Sequence, residues 1–189
     1  MTIDYFCGFL EVWRMRKKVS FNVPPCKENS PDAGRLNIKT MDITKESIRE
    51  QVWSYLETSN IARYPRPVYN KIPNFAGAEK ACCKVKQLKE YRTAKIVKVN
   101  PDTPQKHARF LTLQDRKRLL VPTPRLRKGL LNWILVPPNA GKHMLRESSS
   151  VLGLKTSLSL NLDTKTKIDL VILGSVAVSP KGTIHILKF

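Results

Sequence analysis

The chain has 189 residues, 41% of them hydrophobic, enough for one domain with a real core and too many for a wholly disordered polyelectrolyte. Thirty-four Lys and Arg against fifteen Asp and Glu give a net charge of +19, which attracts polyanions: RNA, nucleotides, polyglutamate tails or acidic lipid. No apolar run is long enough to span a membrane: that of the N-terminus is about nine residues, is broken by Glu11, and precedes its positive charges, the wrong polarity for a secretory signal.

The basic excess is uneven. Residues 80–130 hold fifteen basic and three acidic residues, a local +12, whereas residues 41–79 hold five of each. Lys84, Lys86 and Lys89 are the candidate polyanion contacts of that block, and a solvated basic surface without a specific partner is the alternative. Cys7, Cys26, Cys82 and Cys83 form no CxxC pair, and His107, His143 and His185 have no metal-ligand spacing. Free thiols in a reducing, cytoplasmic setting and no zinc site are therefore expected.

Residues 1–40 read as an appended N-terminal segment, with a short helix carrying Phe6, Leu10 and Trp13 and then a disordered stretch rich in Pro, Asn and Ser. Residues 41–189 read as a partial α/β domain. Thr44 is the expected N-cap of a helix over 45–58, whose apolar stripe runs through Ile48, Val52 and Leu56. RYPRPVYNKIPNF is an irregular connector, because its prolines preclude a helix. GAEKACCKVKQLKEY returns to a helical period. KIVKV (95–99) is a strand stopped by Asn100-Pro101, 104–114 a helix with Ala108, Leu111 and Leu113 inward, and 118–124 a buried strand. LLNWILVPP is ambiguous, and KHMLRESSS is a short helix. KIDLVILGSVAVS is the strongest strand, with Gly174 as a bend. The alternation predicts an incomplete doubly wound, mostly parallel sheet with flanking helices.

Few motifs carry chemistry. Gly141-Lys142 is not a phosphate loop, since Val136 stands where the first glycine should be and His143 where Ser or Thr should be. There is no nucleophile elbow, and aromatics are 7%, which leaves the basic block without evident stacking residues. Lys45 and Arg49, four apart on one helix face, can clamp a phosphate or can be solvated charges paired with Glu46 and Glu50.

SIREQVWSYLETSNIARYPRPVYNKIPNF, LLVPTPRLRKGLLN and DLVILGSVAVS together resemble the 5-formyltetrahydrofolate cyclo-ligase superfamily over residues 44–180. The resemblance implies ATP and magnesium, phosphorylation of a formyl oxygen on the reduced folate, and ring closure that expels phosphate. It implies a Lys–Arg pair on the first helix at the nucleotide phosphates, matched by Lys45 and Arg49, and a basic strand end matched by Arg125 and Arg127. Two features of such relatives are not matched: a Gly-Lys-Gly-rich loop, expected after Gly182, and a C-terminal RRM. A non-catalytic binding module with an RNA association is therefore expected. A working ATP-dependent cyclo-ligase and an unstable splice fragment are the alternatives.

Overall fold

A computed structural model describes residues 3–14, 17–19, 35–38, 44–123, 130–154, 157–160, 166–178 and 184–185. Arg125 and Arg127 lie outside the described residues, as does the stretch expected to be disordered, 22–37, up to residue 34; its end belongs instead to a strand, Arg35–Ile38, which corrects that part of the expectation. Helix α1 (Lys45–Thr58) starts at Thr44 with a reciprocal capping box: Thr44 Oγ1 accepts from the Ser47 amide at 3.0 Å, and Ser47 Oγ from the Thr44 amide at 3.1 Å. It stops at Asn60, whose φ of 54° is the left-handed conformation Asn tolerates.

The helical pattern of 78–93 breaks into three pieces: α2 (Ala78–Cys83), a 3₁₀ turn (Lys84–Gln87) and α3 (Lys89–Thr93), with Leu88 extended between them. The cause is packing. Val85 and Tyr91 are both buried, and on a continuous helix two residues six apart would point about 120° away from each other. The break lets both face one core. Tyr91 then donates its hydroxyl to Asp115 at 2.9 Å. Burial, and next the Asp115 charge, push its pKa up.

Strand β4 (Ile96–Val99), a 3₁₀ turn (Thr103–Gln105), helix α4 (Lys106–Gln114) and strand β5 (Arg118–Pro122) follow as one crossover. Strand β6 (Leu131–Trp133) resolves the ambiguous apolar run; helix α5 (Lys142–Ser148) and strands β7 (Leu158–Leu160) and β8 (Leu170–Val178) complete this part.

The N-terminal segment corrects the helix expected there. Residues Ile3–Arg14 are a strand, β1, antiparallel to β8 from Phe6 opposite Val178 to Arg14 opposite Leu170. Its composition, rich in aromatic and branched residues, suits a pleated strand as well as a helix, and the free side of β8 offers it a ladder. Short strands β2 (Lys17–Val19) and β3 (Arg35–Ile38) pair with β1, and β9 (Ile184–His185) pairs with the end of β8. An exposed β8 edge, the hazard behind the unstable-fragment alternative, is thus covered on both sides.

The fold is α/β. Its nine-stranded sheet runs β2-β1-β8-β4-β5-β6-β7 among the described residues, with flanking helices. Parallel pairing is confined to β8-β4-β5 at the centre, and the outer pairs are antiparallel. One core gathers Val97, Val99, Leu119, Leu170 and Ile172 under α2, α4 and α5; a second joins Ile48, Val52, Trp53 and Leu56 of α1 to Val176 and Ala177.

Gly174 is not a bend, for β8 runs straight through it. The glycine is required by close approach: a Cβ there would overlap the Gln105 side-chain amide and come within 2.6 Å of Ile72 Cγ2. Gly174→Ala should therefore destabilise the fold by about 1–3 kcal/mol in denaturant titration, although alanine is otherwise the better strand residue; an unchanged midpoint would contradict the close packing.

Candidate functional site

The three central strands define where a ligand can enter. The chain leaves β4 through α4 to β5 on one side, and β8 lies on the other side of β4. The connections diverge there, and an open α/β sheet binds ligands in the crevice outside the carboxyl ends at such a point. β8 is paired to β4 only as far as Ile172 opposite Val99, then continues to Val178. Its outer half, Gly174–Ala177, is buried beyond the end of β4, and residues 100–105 leave β4 beside it.

These residues form a connected polar group. The Asn100 amide N–H still bonds Ile172 O at 3.1 Å. The Gln105 side chain, with its amide oriented to satisfy both ends, accepts from the Gly174 amide at 2.9 Å and donates to Asp102 Oδ2 at 3.3 Å. Burial raises the Asp102 pKa, against the opposing pull of Arg109, its own backbone amide and Asn100.

Arg109 holds this loop in place from within. It is 5% exposed, and its guanidinium donates to Asn100 O at 2.6 Å, Asp102 O at 3.0 Å and Ser149 O at 2.7 Å. Desolvation lowers its pKa to about 10, with Asp102 opposing, so it stays charged at neutral pH. A buried cation answered by three carbonyls fastens the exit of β4 to the end of α5.

Three buried side-chain atoms have no partner among the described residues: Arg49 Nε, Asn100 Oδ1 and Ser175 Oγ. All belong to this neighbourhood. Asn100 closes β4. Ser175 lies on β8, roughly 7 Å along the strand from the position facing Asn100. Arg49 is on α1, which packs on Val176 and Ala177, the residues after Ser175. A buried polar atom without a partner costs about 1–3 kcal/mol, so a cluster of them calls for an explanation other than stability.

Of the residues singled out in the sequence, Lys45 and Arg49 both sit in the first turns of α1, but differently. Lys45 is exposed, whereas Arg49 is buried and donates to Glu46 Oε1 at 3.0 Å. Lys84, Lys86 and Lys89 do not form one exposed row: the first two are half-buried, and Lys86 is bound to Asp115 at 2.8 Å. Other members of the basic block are also engaged by the fold. Lys117 donates to Arg92 O and Ala94 O and lies over Tyr91, and Arg118 lies over Trp133. Asn100, Asp102, Gln105, Arg109 and Ser175 were missed. The available signal was Gln105 and Arg109, polar and four apart beside the inward Ala108.

Cys82 and Cys83 are free, as expected; burial raises the Cys82 pKa to about 12. Among the described residues no three His, Cys, Asp or Glu side chains gather as a metal site, and no helix is long and apolar enough to cross a membrane.

The chain belongs to the 5-formyltetrahydrofolate cyclo-ligase family, whose sequence profile matches residues 41–183. It is 50% identical over 141 residues to the methenyltetrahydrofolate synthase domain-containing protein of Bos taurus, covering 74% of this chain and 37% of that protein. It is 51% identical over 140 residues to the Danio rerio protein of that name (74% and 37%), and 47% identical over 145 residues to the Homo sapiens one (76% and 38%). The chain thus spans less than two-fifths of the length of these relatives. No solved structure matches it.

The unpartnered hydroxyl gives a direct test. Ser175→Ala should leave thermal stability unchanged or raise it by up to about 1 kcal/mol, because it removes a buried group that bonds nothing. A loss of more than about 1 kcal/mol would mean that the hydroxyl serves the fold.

Proposed function

We propose that this chain is a cyclo-ligase-fold binding domain that takes a nucleotide or a reduced folate at the carboxyl edge of β4 and β8, without completing phosphoryl transfer. The observation that carries the reading is the set of buried polar atoms without a partner among the described residues, Asn100 Oδ1, Ser175 Oγ and Arg49 Nε, on the end of β4, the outer half of β8 and the helix packed on it. A heterocycle with ring N–H groups can donate to Asn100, and an anionic group can accept from Arg49. Family membership supports ATP and 5-formyltetrahydrofolate as the ligands to try.

Binding is favoured over turnover by the state of the first helix. A phosphate clamp needs Lys45 and Arg49 aimed together at one anion, whereas Lys45 is exposed and Arg49 is buried, paired with Glu46 through Nη1 and open only at Nε. Magnesium, which the family's chemistry implies, does not fit the described residues: no three His, Cys, Asp or Glu side chains gather among them, and burial favours the neutral form of Asp102. Association with RNA has the charge of +19 in its support, but the lysines expected to carry it are in part engaged within the fold.

Calorimetry tests the reading. One of ATP and 5-formyltetrahydrofolate should bind at a single site, and Asn100→Ala should weaken it about fivefold or more, the worth of one hydrogen bond. The site is wrong if neither ligand binds, or if Asn100→Ala and Ser175→Ala both bind like the parent. Production of methenyltetrahydrofolate with phosphate release would overturn the non-catalytic half.

A further inference from the structure

The connector from Arg63 to Phe75 has no helix, yet it is held at many points. Ala62 and Phe75 form a bridge at its base. Glu57 of α1 accepts from the Val68 amide at 2.7 Å and from Arg66 Nε at 2.8 Å. The Val68 amide, more than Arg66, holds the Glu57 carboxyl below its usual pKa. Trp53 Nε1 donates to Lys71 O at 3.0 Å, and Asn74 Nδ2 donates to Tyr64 O at 2.8 Å. An irregular loop fixed in this way loses little entropy when something binds to it.

What the loop displays is unusual for a fixed surface. Tyr64 is 84% exposed, the most exposed large hydrophobic side chain among the described residues, although its own carbonyl is anchored. Tyr69 is 41% exposed and meets Trp53 edge-on at 6.3 Å. Arg63, Arg66 and Lys71 are exposed on the same stretch, and residues 63–75 contain no acidic side chain. Glu57 neutralises Arg66, which leaves the loop net positive.

We propose that this loop is a docking surface for single-stranded nucleic acid, with Tyr64 as the stacking platform and Arg63 and Lys71 along the phosphates. A presented π face flanked by cations is the chemistry that recognises an unpaired base and its backbone. An acidic peptide would use the cations but would leave the Tyr64 face without a planar partner. A duplex hides its base faces and cannot stack on the ring. The sequence shows no aromatic ribonucleoprotein motif, and the stacking residues arise instead from a proline-rich loop outside the basic block. Ile72 of this loop packs beside Gly174, but the Tyr64 face uses none of the polar groups assigned to the β4–β8 edge, so failure of the ATP and folate experiment would leave it standing.

The test uses the full chain and fluorescence anisotropy with a labelled twelve-nucleotide oligouridylate. Binding should weaken as salt rises. Tyr64→Ala should weaken it about fivefold or more, the worth of one stacked base, while Tyr64→Phe stays close to the parent and neither variant shifts Tm. The proposal is overturned if the oligonucleotide does not bind, if Tyr64→Ala binds like the parent (charge alone), or if a duplex of equal length binds as well.

Discussion

The ladder between Val97–Val99 and Leu170–Ile172 is the interaction on which the rest of the molecule hangs. It seats β8 beside β4, with β1 bonded along the opposite side of β8. Leu170, Ile172, Val176 and Ala177 are fully buried, and each half of the strand serves a different core. The first half packs with the layer of α2, α4 and α5, and the second with α1. Burying each large apolar side chain contributes about 1.5–3 kcal/mol, so β8 joins two hydrophobic units that neither helix layer could close alone.

The same ladder creates the crevice. Because β8 outruns β4, its outer half meets the loop after β4 instead of another parallel strand. Gly174 lets Gln105 approach the backbone, Gln105 reaches Asp102, and Arg109 fixes both carbonyls of that loop from below. The arrangement is rigid in its supports and leaves buried polar atoms unanswered beside them. Its supporting groups have partners; Asn100 Oδ1, Ser175 Oγ and Arg49 Nε do not. That division, with rigid support behind unfilled hydrogen-bonding capacity, is what a preorganised binding site has and what a purely structural crossover lacks.

Much of the fold was legible wherever one period governed a whole element. The stripe Ile48, Val52, Leu56 and the Thr44 cap marked α1, and the apolar run at 168–172 marked β8 as a central strand. The pattern misled where tertiary contacts chose between two local solutions. Val85 and Tyr91 reach the same core only by breaking the helix, and Ile3–Arg14 takes the strand form because β8 has a side to pair with. Gly174 carried a true signal with two meanings, bend or close approach, and only the position of Gln105 separates them. The candidate site was less legible than the fold. Arg49, Asn100, Asp102, Gln105, Arg109 and Ser175 are scattered over three segments and are brought together by strand order. The basic block misled in another way: Lys86, Arg109 and Lys117 look like surface charge in the sequence but find an acid or carbonyls within the fold.

Amide hydrogen exchange on the full chain, with and without saturating ATP and 5-formyltetrahydrofolate, examines the crevice most directly. Occupation of the β4–β8 edge should slow exchange at residues 100–105 and 174–177 with at least one of the two compounds, while the far strands β6 and β7 stay unchanged. Unaltered exchange in those two segments under both compounds, or slowing confined to other parts of the chain, would contradict a ligand site at this edge.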